Sequence, residues 1–120
     1  MKKLISAILV LVMVVSLCAF SASAEEPMKV GFIALHDENS TYDLNFMNGA
    51  KAACAALGIK EENYFLKTNI PEGQECYEAA AEMVDAGCTV IFADSFGHED
   101  YVIQAAKEFP EVQFCHATGT

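Results

Sequence analysis

The 120-residue sequence carries 7 lysines and no arginine against 17 Asp plus Glu, for a formal net charge of −10, and 53% of it is hydrophobic. That length allows one domain at most, since domains run to about 100–150 residues. The charge argues against a nucleic-acid partner, because no basic stripe exists to neutralise phosphates. The apolar content argues against disorder.

The chain opens on Lys2-Lys3, followed by an apolar run from Leu4 to Phe20 that is broken only by Ser6, Ser16 and Cys18. Ser21-Ala22-Ser23-Ala24 closes it. A positive start, an apolar core and small residues at Ala22 and Ala24 are the pattern of a secretory signal peptide, residues 1–24, cleaved after Ala24. The alternative is an N-terminal membrane anchor, for which the run is short of the ~20 apolar residues a span needs. Lipid attachment at Cys18 is disfavoured by Leu17, where such a site prefers a small residue. The expectation is an exported protein. Cleavage removes Lys2 and Lys3 and no acid, leaving 96 residues with a net charge of −12. An anionic surface or a polyanionic ligand would be repelled.

Four cysteines remain, Cys54, Cys76, Cys88 and Cys115. Their even number in an exported chain permits disulfides. Their spacings match no zinc motif, and each stands beside alanine or apolar residues, as buried thiols do. Four free, mostly buried thiols are expected.

Lys29 to Leu35 is a nearly continuous apolar run, which predicts a strand buried on both faces. From Leu44 to Leu57 the apolar residues Phe46, Met47, Ala50, Ala53, Cys54 and Leu57 fall at helical spacing, with Gly58 as the C-terminal cap. Tyr64-Phe65-Leu66 is a second, weaker strand. Pro71 opens a helix with Tyr77, Ala80, Ala81 and Val84 on one face, and Gly87 stops it. Thr89 to Ala93 is the third strand, Glu99 to Glu108 a third helix ended before Pro110, and Val112 to His116 the fourth strand. The order βαβαβαβ implies right-handed crossovers and a parallel sheet covered on both faces, a three-layer Rossmann-like α/β arrangement.

Ligands of such sheets lie beyond the carboxyl ends of the strands, near the point where the strand order reverses. There the sequence places His36-Asp37-Glu38-Asn39-Ser40-Thr41-Tyr42-Asp43, Thr68-Asn69, Asp94-Ser95-Phe96-Gly97-His98 and His116-Ala117-Thr118. Asp43 fits two roles, a capping-box acid paired with Ser40 or a ligand contact. Asp37 and Asp94 follow apolar strands directly; Asp94 could instead cap the third helix. Tyr42 and Phe96 either pack beneath their loops or stack on a planar ligand. His36, His98 and His116 would be neighbours in a sheet of order 2-1-3-4, so zinc binding by the three is an alternative, although none lie at local ligand spacing. A small exported hydrolase is a weaker alternative, since the chain has no G-x-S-x-G elbow, no P-loop and no G-x-G-x-x-G fingerprint.

Lys29-Val-Gly-Phe-Ile, Thr41-Tyr42-Asp43 ahead of Gly49, and Val90-Ile-Phe-Ala-Asp-Ser-Phe-Gly-His-Glu-Asp100 continuing to Phe109-Pro110-Glu-Val-Gln-Phe114 form an ordered set. Over residues 28–120 this set resembles the basic membrane protein family, the PnrA-like substrate-binding proteins of ABC transporters. The resemblance implies a type I periplasmic-binding fold, in which two Rossmann-like lobes close on a nucleoside. Residues 25–120 would then be the first half of lobe one, since family members are much longer. The family's Ser-Phe-Asn at the start of helix one, whose ring stacks on the base and whose Asn bonds it, falls on Thr41-Tyr42-Asp43. Asp43 replaces the Asn, and when ionised it can only accept hydrogen bonds. The family's Asp/Gly-rich first loop reads His36-Asp37-Glu38-Asn39, and Thr118 stands where the fourth strand commonly ends in Asp.

The resemblance implies a non-enzymatic capture protein for a small polar solute, with a purine nucleoside as the leading expectation. It implies no cofactor, and a membrane-embedded ABC permease as partner. The expected ligand-binding residues are His36, Asp37, Asn39, Tyr42, Asp43, Asp94, Ser95, Phe96, His116 and Thr118.

Overall fold

Val30–Ile33 forms β1, and all four of its residues are buried, as expected of a strand covered on both faces. The computed structural model describes residues 25–120. The expected leader at 1–24, its cleavage site and Cys18 lie outside the described residues. Helix α1 (Thr41–Ala56) follows β1, then β2 (Tyr64–Lys67), α2 (Gln74–Asp85), β3 (Val90–Ala93), α3 (Glu99–Glu108) and β4 (Gln113–His116). Short 3-10 turns precede β2 at Glu61–Asn63 and α3 at Phe96–His98.

The four strands form one parallel sheet in the order β2-β1-β3-β4. β1 occupies an interior position, with Val30 paired to Tyr64 on one side and Val90 on the other. The strand order reverses between β1 and β3, which sets the switch point above the carboxyl ends of those two strands.

The two faces are packed unequally. On one, α2 and α3 cover Ile33, Ile91 and Ala93, with Cys76, Ala79, Ala80, Met83, Val102 and Ala105 buried between the layers. The other face has only α1 among the described residues, with Met47 against Phe32 and Ala34, and Phe46, Ala50 and Tyr64 partly buried beside them. Phe32 and Phe92 stack at 6.3 Å between ring centroids. Beside α1 an apolar trough of about 580 Å³, floored by Phe32, Val90 and Phe92, is left open.

Two helix faces differ in detail from the sequence expectation. On α2 the inward stripe is Cys76, Ala79, Ala80 and Met83, while Tyr77 and Val84 are only half-buried. Both stripes are apolar, so periodicity alone cannot choose between them, and the smaller one lets the helix approach the sheet more closely. On α1, Leu57 is 74% exposed instead of inward, because it overhangs the open trough. Gly58 and Gly87 do terminate α1 and α2, at φ of 70° and 92°. The α2 helix begins at Gln74, three residues later than Pro71 suggested, with Gly73 as its N-cap.

All four cysteines among the described residues are free, with Cys54, Cys76 and Cys88 buried and Cys115 half-buried. Burial pushes the Cys76 thiol up to about 12.

Candidate functional site

Ser40 caps α1, its hydroxyl accepting from the Asp43 N–H. The reciprocal half of a capping box is missing, since the Ser40 N–H donates to the Asp37 carbonyl. The Asp43 side chain turns back toward β1 instead. Its Oδ1 accepts from the His36 N–H at 2.9 Å, and its Oδ2 takes the Ser40 hydroxyl at 2.5 Å and lies 3.1 Å from His36 Nδ1. Burial pushes this carboxyl up, but the bonds from Ser40 and His36 outweigh it and hold Asp43 at about 2. Asp43 is therefore a fully buried carboxylate that ties the loop after β1 to the first turn of α1.

Asp94, at the end of β3, is equally buried. Its Oδ1 accepts from the Leu35 N–H at 3.1 Å, linking β3 to the end of β1 across the switch point. Burial, joined by the neighbouring Asp43 charge, raises its carboxyl to about 6. The capping alternative for Asp94 does not hold, because α3 starts at Glu99, directly after the 3-10 turn Phe96–His98, with His98 at its N-cap. A third tie crosses the same seam, where the Tyr42 hydroxyl donates to the Asp94 carbonyl at 2.8 Å. The Tyr42 ring is 46% exposed and tilted against Phe46 at 5.0 Å.

The β3–α3 loop is held from the β2 side by Glu72, which sequence reasoning missed. Glu72 Oε1 accepts from the Ser95 hydroxyl at 2.5 Å and from the Gly97 N–H at 2.9 Å. Those bonds lower its carboxyl below the usual range. They fix the loop on either side of Phe96, whose ring stands 63% exposed. The only signal for Glu72 was its place in the turn Pro71-Glu72-Gly73 after the second strand, which names no partner.

Asp37 accepts from both the backbone and the side-chain N–H of Asn39, an Asx turn that lowers its carboxyl. Both residues sit at the outer lip of the first loop. Thr118 is exposed, with φ 65°, just past β4. His116 Nε2 lies 2.5 Å from the Ser95 carbonyl, which brings β4 to the same seam.

The metal alternative is corrected by the geometry of the three histidines. His36 is bonded to Asp43, His116 to the Ser95 carbonyl, and the buried His98 to the Ile70 carbonyl at 2.9 Å, where it joins two loops. Among the described residues no three His, Cys, Asp or Glu side chains gather into a metal-binding group.

The structure thus brings His36, Tyr42, Asp43, Asp94, Ser95, Phe96 and His116 to one seam at the switch point, with Asp37, Asn39 and Thr118 on its outer rim. At this edge Tyr42 and Phe96 are exposed aromatics, and the buried, hydrogen-bonded Asp43 and Asp94 lie at the seam that the Tyr42 hydroxyl bridges. Such an arrangement suits a flat ligand that stacks and hydrogen-bonds.

No family model matches the chain. It is 40% identical over 102 residues, 82% of its own length, to a purine-binding protein of Brucella abortus (strain 2308), of which the match spans 28%. Among solved structures it superposes on an ABC transporter solute-binding protein from Conexibacter woesei with a TM-score of 0.61 and 17% identity, covering 72% of this chain and 28% of that one. It also superposes on a transcriptional activator of the comK gene from Bacillus halodurans with a TM-score of 0.65 and 20% identity, covering 76% of this chain and 30% of that one. The chain spans less than a third of each of these three proteins. The likeness to solved structures shows the fold, a Rossmann-like parallel α/β arrangement.

Proposed function

We propose that residues 25–120 form part of the first lobe of an exported solute-binding protein, one that delivers a purine nucleoside to an ABC permease at the plasma membrane. The observation that carries this reading is a pair of exposed aromatics at the carboxyl edge of the sheet, Tyr42 in the first turn of α1 and Phe96 in the loop after β3, with the Tyr42 hydroxyl bonded across the seam. Base–aromatic stacking tolerates different bases, and groups held in the seam would select among them. The 40% identity to a purine-binding protein supports a purine over a sugar or an amino acid.

Ligand sites enclose most of a ligand's surface, and this crevice supplies one wall. Capture is therefore assigned to the protein at the length of its relatives, with the second wall drawn from a facing lobe. Residues 25–120 alone bind weakly or not at all. Within the seam, Asp43 serves as a positioning residue, because its oxygens are committed to His36 and Ser40; Tyr42 and Phe96 make the contact.

Calorimetry on the protein at full relative length, against adenosine, guanosine, inosine, free purine bases, ribose and amino acids, tests the proposal. Saturable binding of one or more nucleosides is the expected result. Binding confined to sugars or amino acids would overturn the purine assignment, and turnover of a nucleoside would overturn the non-enzymatic one.

A further inference from the structure

Asp43 and Asp94 are both fully buried, one on each side of the seam between the β1–α1 loop and the end of β3. Three donor groups serve Asp43 (the His36 N–H, the His36 ring and the Ser40 hydroxyl), whereas Asp94 has one, the Leu35 N–H on Oδ1. Asp94 Oδ2 is buried with no donor. The neighbouring carboxyl is that of Asp43: the consecutive amides of Leu35 and His36 hold Asp94 Oδ1 and Asp43 Oδ1 side by side, and Asp43 is itself an acceptor when ionised. Two ionised carboxylates so placed repel and cannot bond each other; one proton between them allows a hydrogen bond.

We propose that Asp43 and Asp94 form a proton-binding site, holding one proton between two buried carboxyls, that clamps the two walls of the crevice together. The proton resides on Asp94 and is donated to Asp43, because Asp43 already has donors that favour its charged form. The upward displacement of the Asp94 carboxyl to about 6, from burial first and the Asp43 charge after it, agrees with this division.

The other titratable groups around the pair are identified by their contacts. His36 faces Asp43 from the first loop, and Tyr42 approaches Asp94 from α1 through its hydroxyl. Glu72 and His116 reach the next residue, Ser95, from the β2 and β4 sides, and His98 lies one turn further on, against Ile70. None of these places a donor on Asp94 Oδ2. The proposal rests on the seam itself and not on which solute the crevice takes.

The folded protein holds this proton more tightly than the unfolded chain. The stability that the site contributes is therefore complete below the ordinary Asp value of 3.8 and is lost as pH rises through about 6. Above that, the walls carry two facing charges and the clamp is released.

Carboxyl 13C NMR of the protein is the direct test, because it reads Asp94 itself and not the nearby histidines. A midpoint near 6 for Asp94, with Asp43 ionised throughout, is expected; a midpoint at or below 3.8 for Asp94 overturns the proposal. Asp94→Asn gives a second reading, since its amide copies the protonated acid and donates permanently. The variant should melt higher than the unvaried protein at pH 7.5 and lose the decline between pH 4 and 7, while Asp100→Asn on exposed α3 surface keeps it. If Asp94→Asn leaves that decline unchanged, there is no shared proton.

Discussion

Tyr42 Oη and the Asp94 carbonyl, 52 positions apart in sequence, meet at 2.8 Å and close the crevice seam from above. The same residue thus presents a ring to solvent and anchors α1 to the end of β3. Its hydroxyl and ring can be tested separately. Tyr42→Phe removes one hydrogen bond, worth about 0.5–1.5 kcal/mol, and should lower the melting temperature by about 4–8 °C per kcal/mol while keeping a ring for stacking. Tyr42→Ala should cost at least as much stability and also weaken nucleoside binding about 5- to 150-fold in the protein of full relative length. Equal affinities for the unvaried protein and Tyr42→Ala would place the ring outside the site.

Asp43 sets the acid side of the stability curve. Its carboxyl is held at about 2 against an ordinary 3.8, so the stability it contributes is present above 3.8 and is lost as pH falls toward 2. Chemical denaturation between pH 2 and 4 should show this fall. Asp43→Ala should remove the acid-side slope and cost about 1–3 kcal/mol at neutral pH, because the His36 N–H and the Ser40 hydroxyl lose a charged acceptor.

Glu72 and Gly97 should behave as one unit. A Cβ on Gly97 would stand 2.4 Å from Glu72 Cδ, so Gly97→Ala must displace the carboxylate that holds the loop. Each of Gly97→Ala and Glu72→Ala should raise amide exchange in residues 95–98, and the double variant should add little to either. Additive effects would show that the two do not act through the same contact.

The thiols should react in order of burial. Cys115 should be alkylated first by a maleimide under native conditions, and Cys76, buried and with its thiol pushed up to about 12, last. Mass mapping of partially labelled protein gives the order. Early modification of Cys76 would mean that the α2 face opens readily.

Much of the fold could be read from the residues. The VGFI run, the glycines at 58 and 87 and the stop at Pro110 mark elements through local chemistry, which acts over a few positions. Ser40 before α1 was legible for the same reason. The site was legible as an edge and not as a set of contacts. That Asp43 would turn to His36 follows only from the angle at which α1 leaves β1. Glu72 had no signature, because its partners Ser95 and Gly97 lie 23 and 25 positions away. Nor could spacing show that the three histidines were each taken by a different neighbour.

The interior position of β1 bears on how the chain is made. Its apolar Val30–Ile33 segment precedes both of its partners, Tyr64–Lys67 and Val90–Ala93, so neither edge of it can be sealed until they follow. Non-local parallel pairing of this kind is slow and leaves a sticky segment uncovered meanwhile. For the exported protein proposed above, delay has a use. A chain that cannot complete its central strand early stays threadable, which is the state passage through a membrane channel requires.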